Sequence, residues 1–119
     1  VLFIGLLRKC RERTWGRCKN TDSLVGRVFI VTGANSGIGK ETVKELAKRK
    51  ATVILACRNI QTARNAISDI RTQISTGELV PMELNLASFS SIKEFVTEVI
   101  KNFAEIHVLI NNAGVYVPF

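Results

Sequence analysis

The residues best suited to chemistry in this 119-residue chain lie in one run, Thr32-Gly33-Ala34-Asn35-Ser36-Gly37-Ile38-Gly39-Lys40. The run follows an apolar stretch, Val28–Val31, and opens a stretch with helical spacing. A turn of this kind aims unpaired backbone N–H groups and the positive end of a helix dipole at an anion. The pyrophosphate of a dinucleotide suits such a site well. Gly33 lets the chain turn tightly, Gly37 lets phosphates come close, and Gly39 lets the helix pack on the strand. Two other phosphate motifs are excluded by spacing. A P-loop would need Gly at Ala34 and Ser or Thr at Glu41, and the G-x-G-x-x-G fingerprint fails because Ala34 and Asn35 follow Gly33.

A second motif, Asn111-Asn112-Ala113-Gly114, stands directly after the apolar run Val108–Ile110. Alone it reads as an ordinary turn after a strand. Together with T-G-x-x-x-G-x-G at the expected distance, it resembles the short-chain dehydrogenase/reductase family. The extended, epimerase-type branch of that family spaces its glycines G-x-x-G-x-x-G, and Ser36 stands where the middle glycine would be. The resemblance covers residues 24–119, the N-terminal half or less of a typical member. Within the family, T-G-A-N-S-G-I-G-K-E-T followed by A-C-R-N looks most like the retinol dehydrogenase group. That group implies a membrane-anchored NADP enzyme acting on retinoids and related lipophilic carbonyls.

The resemblance carries a cofactor site onto Gly33, Asn35, Ser36, Gly37, Ile38 and Gly39 in the first turn, and onto Asn112, Ala113 and Gly114 in the last. Arg58 and Asn59 join it after the second strand. An acid at the end of that strand would bond the free 2′-hydroxyl of NAD and repel the extra phosphate of NADP. Here the chain reads Ala56-Cys57-Arg58-Asn59, with no carboxylate. A guanidinium at Arg58 grips a phosphate in bidentate fashion, so the expected cofactor is NADP(H). After the third strand, where the family usually carries Asp-Leu against the adenine amino group, this chain has Asn85-Leu86. An amide oxygen still accepts there, more weakly than a carboxylate.

These turns need a scaffold. Val28–Val31, Thr52–Ala56, Leu79–Leu84 and Val108–Ile110 read as buried strands. Helical spacing fills the intervals: Ile38–Lys50, with Val43, Leu46 and Ala47 inward; Ala63, Ile67, Ile70 and Ile74; then Ile92, Phe95, Val96, Val99, Ile100 and Phe103. Ser88 is the expected N-cap of the last helix, and Gly77 breaks the chain after the second. Strands alternating with helices at this spacing give βαβ crossovers and an α/β fold, a Rossmann-like parallel sheet with flanking helices that stops after the fourth strand.

Catalysis is expected outside this chain. In the family a Ser, a Tyr-x-x-x-Lys pair and a further Asn lie beyond the N-N-A-G turn, the Tyr acting as acid/base. Tyr116 is the only tyrosine, and its lysine partner would be residue 120. It therefore reads as a loop residue, and the 119-residue chain alone is expected to give no turnover. An apolar edge at Val108–Ile110 and a first residue Val1 that is not Met lead to the expectation of a longer parent protein. The alternative is a cofactor-binding or interaction module without turnover, either a short isoform or a degenerate relative.

The net charge of +7 is concentrated at one end. Residues 1–20 hold six bases against Glu12 alone, whereas the rest of the chain is nearly balanced, which argues against a nucleic-acid groove. The arm opens Val1-Leu-Phe-Ile-Gly-Leu-Leu7 and turns basic around Trp15. Seven residues are too few to cross a bilayer, which takes about 20. An apolar run, a basic cluster and an interfacial Trp are nevertheless the expected tail of a membrane anchor. Residues 1–20 are thus read as a basic juxtamembrane arm, with the domain facing the cytosol, at the endoplasmic reticulum if the resemblance holds. A disordered basic leader is the alternative. Cys10, Cys18 and Cys57 share no metal-like spacing with the single His107, and reduced thiols are expected. Cys10 is either an ordinary thiol or a palmitoylation site beside the membrane.

Overall fold

The computed structural model describes residues 4, 5, 7–10, 16 and 18–117. The expectations placed on Val1–Phe3, Leu6, Trp15 and most of the arm's arginines fall outside these residues. Residues 4, 5 and 7–10 have helical backbone, with Ile4 and Leu7 exposed. Among the described residues, no helix is long and apolar enough to cross a membrane.

The chain then alternates strand and helix: β1 (Val28–Thr32), α1 (Gly37–Lys48), β2 (Thr52–Cys57), α2 (Ile60–Arg71), β3 (Glu78–Glu83), α3 (Phe89–Asn102) and β4 (Val108–Ile110). All pairings are parallel, in the order β3-β2-β1-β4. Ile30 is level with Ile54 on one side and with Leu109 on the other, and Ile54 with Val80 beyond. This is the Rossmann-like sheet expected from the sequence.

Side chains alternate across a strand, so neighbouring residues serve opposite faces. Phe29, Val31, Val53 and Leu55 pack with Val43 and Ala47 of α1 and Ala63, Ala66 and Ile70 of α2. Ile30, Ile54 and Met82 pack with Phe95 and Val99 of α3. Right-handed crossovers explain this division. Moving from β1 to β2 to β3 keeps α1 and α2 on one face, and reversing direction to reach β4 puts α3 on the other. Pro81, inside β3, has no amide hydrogen to give a second neighbour. The strand order places β3 at an edge, where none is needed.

Ser88 caps α3 as expected, its hydroxyl accepting the Ser91 N–H at 3.3 Å. Two details of the helical stripes are corrected. Val96 and Ile100 are exposed, at 45% and 73%. The face of α3 against the sheet is the narrower row of Ile92, Phe95 and Val99, and Val96 and Ile100 lie beside it where no described element packs. Ile74 is buried in the core but lies beyond the end of α2. Thr72 closes that helix, its hydroxyl donating to Asp69 O at 2.6 Å.

Candidate functional site

The sheet order changes direction at β1, whose neighbours β2 and β4 lead the chain opposite ways. A crevice is expected above the carboxyl ends of the strands at such a point, and a cleft of about 670 Å³ lies there. Its walls come from every strand end: Thr32, Gly33 and Asn35 after β1; Ala56, Arg58, Asn59 and Thr62 around the end of β2; Leu84–Ala87 after β3; and Ala113–Val115 after β4.

Thr32 ties two of these segments together. It is 5% exposed, and its Oγ1 accepts the backbone N–H groups of Asn112 and Ala113, each at 3.0 Å, while donating to Ile110 O at 3.4 Å. Asn112 returns the connection, its Nδ2 donating to Thr32 O at 3.0 Å and to Gly33 O at 3.3 Å. The turn is held on its other side by Gly33 N–H donating to Ala56 O at 2.9 Å. Gly33 has φ +63, and a Cβ there would stand 3.0 Å from Ala113 Cα. A side chain would therefore meet both backbone strain and the opposite turn.

Replacing Thr32 by Val should test this clamp. It keeps the shape and removes one acceptor from two N–H groups; Asn112 N–H keeps its bond to Ile110 O at 3.1 Å, and water can reach the one on exposed Ala113. The expected loss is about 1 kcal/mol in urea unfolding, with Thr32→Ser close to wild type.

The starts of the three helices differ. Asn59 caps α2, its Oδ1 accepting Gln61 N–H at 2.8 Å, and Ser88 caps α3. Ser36, the N-cap of α1, makes no side-chain cap bond. The first-turn N–H groups of α1 are thus left without a side-chain acceptor where the glycine turn meets the cleft, an arrangement suited to an anion.

Of the residues carried over from the sequence motifs, Gly33, Asn35, Arg58, Asn59, Asn85, Leu86, Ala113 and Gly114 share the cleft wall. Ser36, Gly37, Ile38, Gly39 and Asn112 are not on it. Ser36 is exposed at the cap, while Gly37 and Ile38 line a shallower groove along α1 with Lys40 and Glu41. Gly39 and Asn112 lie behind the wall and hold the turn in shape. A Cβ on Gly39 would overlap Gly33 O and stand 2.6 Å from Asn112 Nδ2. The motif reading left out Thr32, Ala56, Thr62, Leu84, Ala87 and Val115. Thr32 could have been found as the first letter of T-G-x-x-x-G-x-G, and Leu84 as the last apolar residue of its strand. Nothing in the sequence marked Thr62, which reaches the cleft because it lies in the first turn of α2, its hydroxyl donating to Asn59 O at 2.7 Å.

The three thiols are free. Cys57 is buried at the end of β2, where loss of solvent pushes its thiol up from the ordinary value, partly opposed by the N–H groups of Ala34 and Asn35. Cys18 is exposed and shifted down, first by the backbone of Asn20 and then by the Arg49 side chain. At the opposite end of the sheet, His107 accepts Val28 N–H on Nδ1 at 3.0 Å, fixing the start of β4 beside β1. Tyr116 is 90% exposed after β4.

Comparison with known proteins gives this architecture its family. The model of the short chain dehydrogenase family matches residues 27–119. The chain belongs to the short-chain dehydrogenase family. Among its relatives, human retinol dehydrogenase 13 is 43% identical over 102 residues, covering 86% of this chain and 31% of the relative. Human retinol dehydrogenase 11 is 44% identical over 100 residues, covering 84% and 31%. The chain thus spans less than a third of the length of these curated relatives. Among solved structures, menthone neomenthol reductase from Mentha piperita superposes with a TM-score of 0.71 at 34% identity, covering 75% of this chain and 32% of the reductase. A metagenomic short-chain oxidoreductase in complex with NADP gives 0.71 at 34%, covering 79% and 42%. The retinol dehydrogenase likeness read from the motifs is thereby borne out, as is the family's fold.

Proposed function

We propose that residues 24–119 form the cofactor-binding part of an NADP(H)-dependent oxidoreductase that interconverts a lipophilic alcohol, such as retinol, and its carbonyl. The observation that carries the cofactor is the charge of the cleft. Arg58 is the one charged residue on the described wall, and no carboxylate accompanies it. A wall with a cation and no acid favours a ribose 2′-phosphate over a free 2′-hydroxyl. The uncapped start of α1, reached over Gly33 and Asn35, suits the diphosphate. The bound nicotinamide would supply or accept the hydride.

This chain's own residues hold and orient. Thr32 and Asn112 keep the turn and the Ala113–Val115 wall in register, and Gly39 allows helix and turn to approach. The lipophilic substrate is supported by the retinol dehydrogenases among the relatives. Residues 1–20 serve, in this reading, as a membrane-proximal arm with the domain on the cytosolic side of the endoplasmic reticulum. Exposed Ile4 and Leu7 ahead of Arg8 and Lys9 support it.

The test is calorimetric titration of the complete protein with NADPH and NADH, followed by assay of retinol oxidation and retinaldehyde reduction. Tighter binding of NADPH by roughly tenfold or more is expected, with turnover of the retinoid pair. Equal affinities would overturn the cofactor assignment, and absence of retinoid turnover the substrate assignment.

A further inference from the structure

All four strands are parallel, so every strand begins at one edge of the sheet, opposite the cleft. The segment joining residues 1–20 to the domain arrives at this amino edge. Leu24 N–H donates to Arg49 O at 2.7 Å, and Thr52 N–H donates to Arg27 O at 3.0 Å. Residues 24–27 are thereby fastened beside the turn that follows α1, and Cys18 ahead of them meets the Arg49 side chain.

Two kinds of exposed side chain share this edge. Val25 stands at the tip of a turn closed by Arg27 N–H donating to Leu24 O at 3.0 Å, and it is 67% exposed. Ile106 is exposed next to His107, which accepts Val28 N–H. Lys19, Arg27, Lys48 and Lys50 are exposed as well. The acids of the same segments are Asp22, Glu45 and Glu105. Glu45 pairs with Lys48 and Arg49, and Glu105 with His107. Lys50 is the only non-glycine with positive φ among the described residues, at +67. Glycine fits that place after a helix without strain, so a lysine there points to a use for its charge. The described loops of the carboxyl edge also expose apolar side chains, Leu86 and Val115 among them, but hold a single base, Arg58.

We infer that the amino edge is a docking face for a negatively charged phospholipid bilayer, with Val25 and Ile106 entering the headgroup layer and Lys19, Arg27, Lys48 and Lys50 meeting its phosphates. Charge complementarity selects this occupant, because an anionic lipid surface attracts basic side chains that lie close to it and long basic chains reach its headgroups. The inference rests on the reading of residues 1–20 as a membrane-proximal arm. It goes beyond that reading by laying one face of the folded domain on the bilayer. The cleft then opens on the far side, toward water.

Lysine footprinting tests the orientation. The complete protein is reconstituted in vesicles of phosphatidylcholine and, separately, of phosphatidylglycerol, then treated with a membrane-impermeant amine-acylating reagent. Neither lipid has a primary amine, so the label reports on the protein. On phosphatidylglycerol relative to phosphatidylcholine, labelling of Lys19, Lys48 and Lys50 is expected to slow by about fivefold and to recover in high salt. Lys93, exposed in the first half of α3 and toward the carboxyl edge, should change by less than about twofold. Slowing confined to Lys9, equal slowing at Lys93, or no slowing in protein that pellets with the vesicles overturns the docking face and leaves the arm in place. Failure of the protein to associate with either kind of vesicle overturns both.

Discussion

Substituting Asp for Arg58 is expected to invert the cofactor preference, lowering NADPH affinity by roughly ten- to a hundredfold while NADH affinity holds or rises. Two effects add. The variant loses the bidentate charge-assisted bonds that a guanidinium makes to a phosphate, and it places a carboxylate where the 2′-phosphate would sit. For NADH the same carboxylate can accept from the 2′-hydroxyl. Because Arg58 is exposed, its charge is screened, and the wild-type preference for NADPH should shrink as salt is raised. Titration of both cofactors at low and at high salt checks all three expectations. Unchanged NADPH affinity in the variant would remove Arg58 from the site. The substitution should leave the fold intact, since the side chain is outside both apolar clusters and Asn59 next to it keeps its own cap bond.

The parts of the fold that were legible in the sequence are those where side-chain pattern alone decides the outcome. Val28–Thr32 and Thr52–Cys57 are buried on both faces, so their continuous apolar runs can be little else than central parallel strands. Ser88 announces the start of α3 through local chemistry, whereas α2 closes at Thr72 and Gly77, with φ +73, turns the chain directly into β3. Less legible was the width of a helix's buried face, because apolar spacing on α3 does not reveal how much of it a neighbour covers. Val96 and Ile100 have the right spacing and still lie outside the contact.

The candidate site divides in the same manner. Residues whose type is needed for the backbone to reach a ligand, such as Gly33 and Gly39, could be read from their spacing. The bond from Asn112 Nδ2 to Thr32 O joins residues 80 positions apart, and only the folded sheet brings them together. Its effect is to make Asn112 a support for the glycine turn, set behind the wall it was expected to line. Asn85 needed the structure for a different reason. Its type was visible in the sequence, but the direction of its amide depends on the Ala87 N–H.

Gly39→Ala is expected to be strongly damaging, costing about 3 kcal/mol and abolishing dinucleotide binding under conditions where the fold survives. Helix propensity pulls the other way, since alanine is better than glycine within a helix by about 1 kcal/mol. The steric effect should win because the atoms in the way are not free to retreat. An added Cβ would overlap Gly33 O and come within 2.6 Å of Asn112 Nδ2 and 3.1 Å of Ala34 Cα. Gly33 is held from behind by its bond to Ala56 O, and Asn112 by its bonds to Thr32 and Gly33. Relief therefore requires α1 to back away from the turn, which separates its N-terminal N–H groups from the cleft. Gly114→Ala is the control, because a Cβ there meets nothing within 4 Å and the position has no positive φ. Urea unfolding should show a large loss for Gly39→Ala and almost none for Gly114→Ala, and NADPH titration of the Gly39→Ala protein that remains folded should show binding lost. Equal stability of the two would mean that the packing of α1 on the turn is looser than the contacts at Gly39 require.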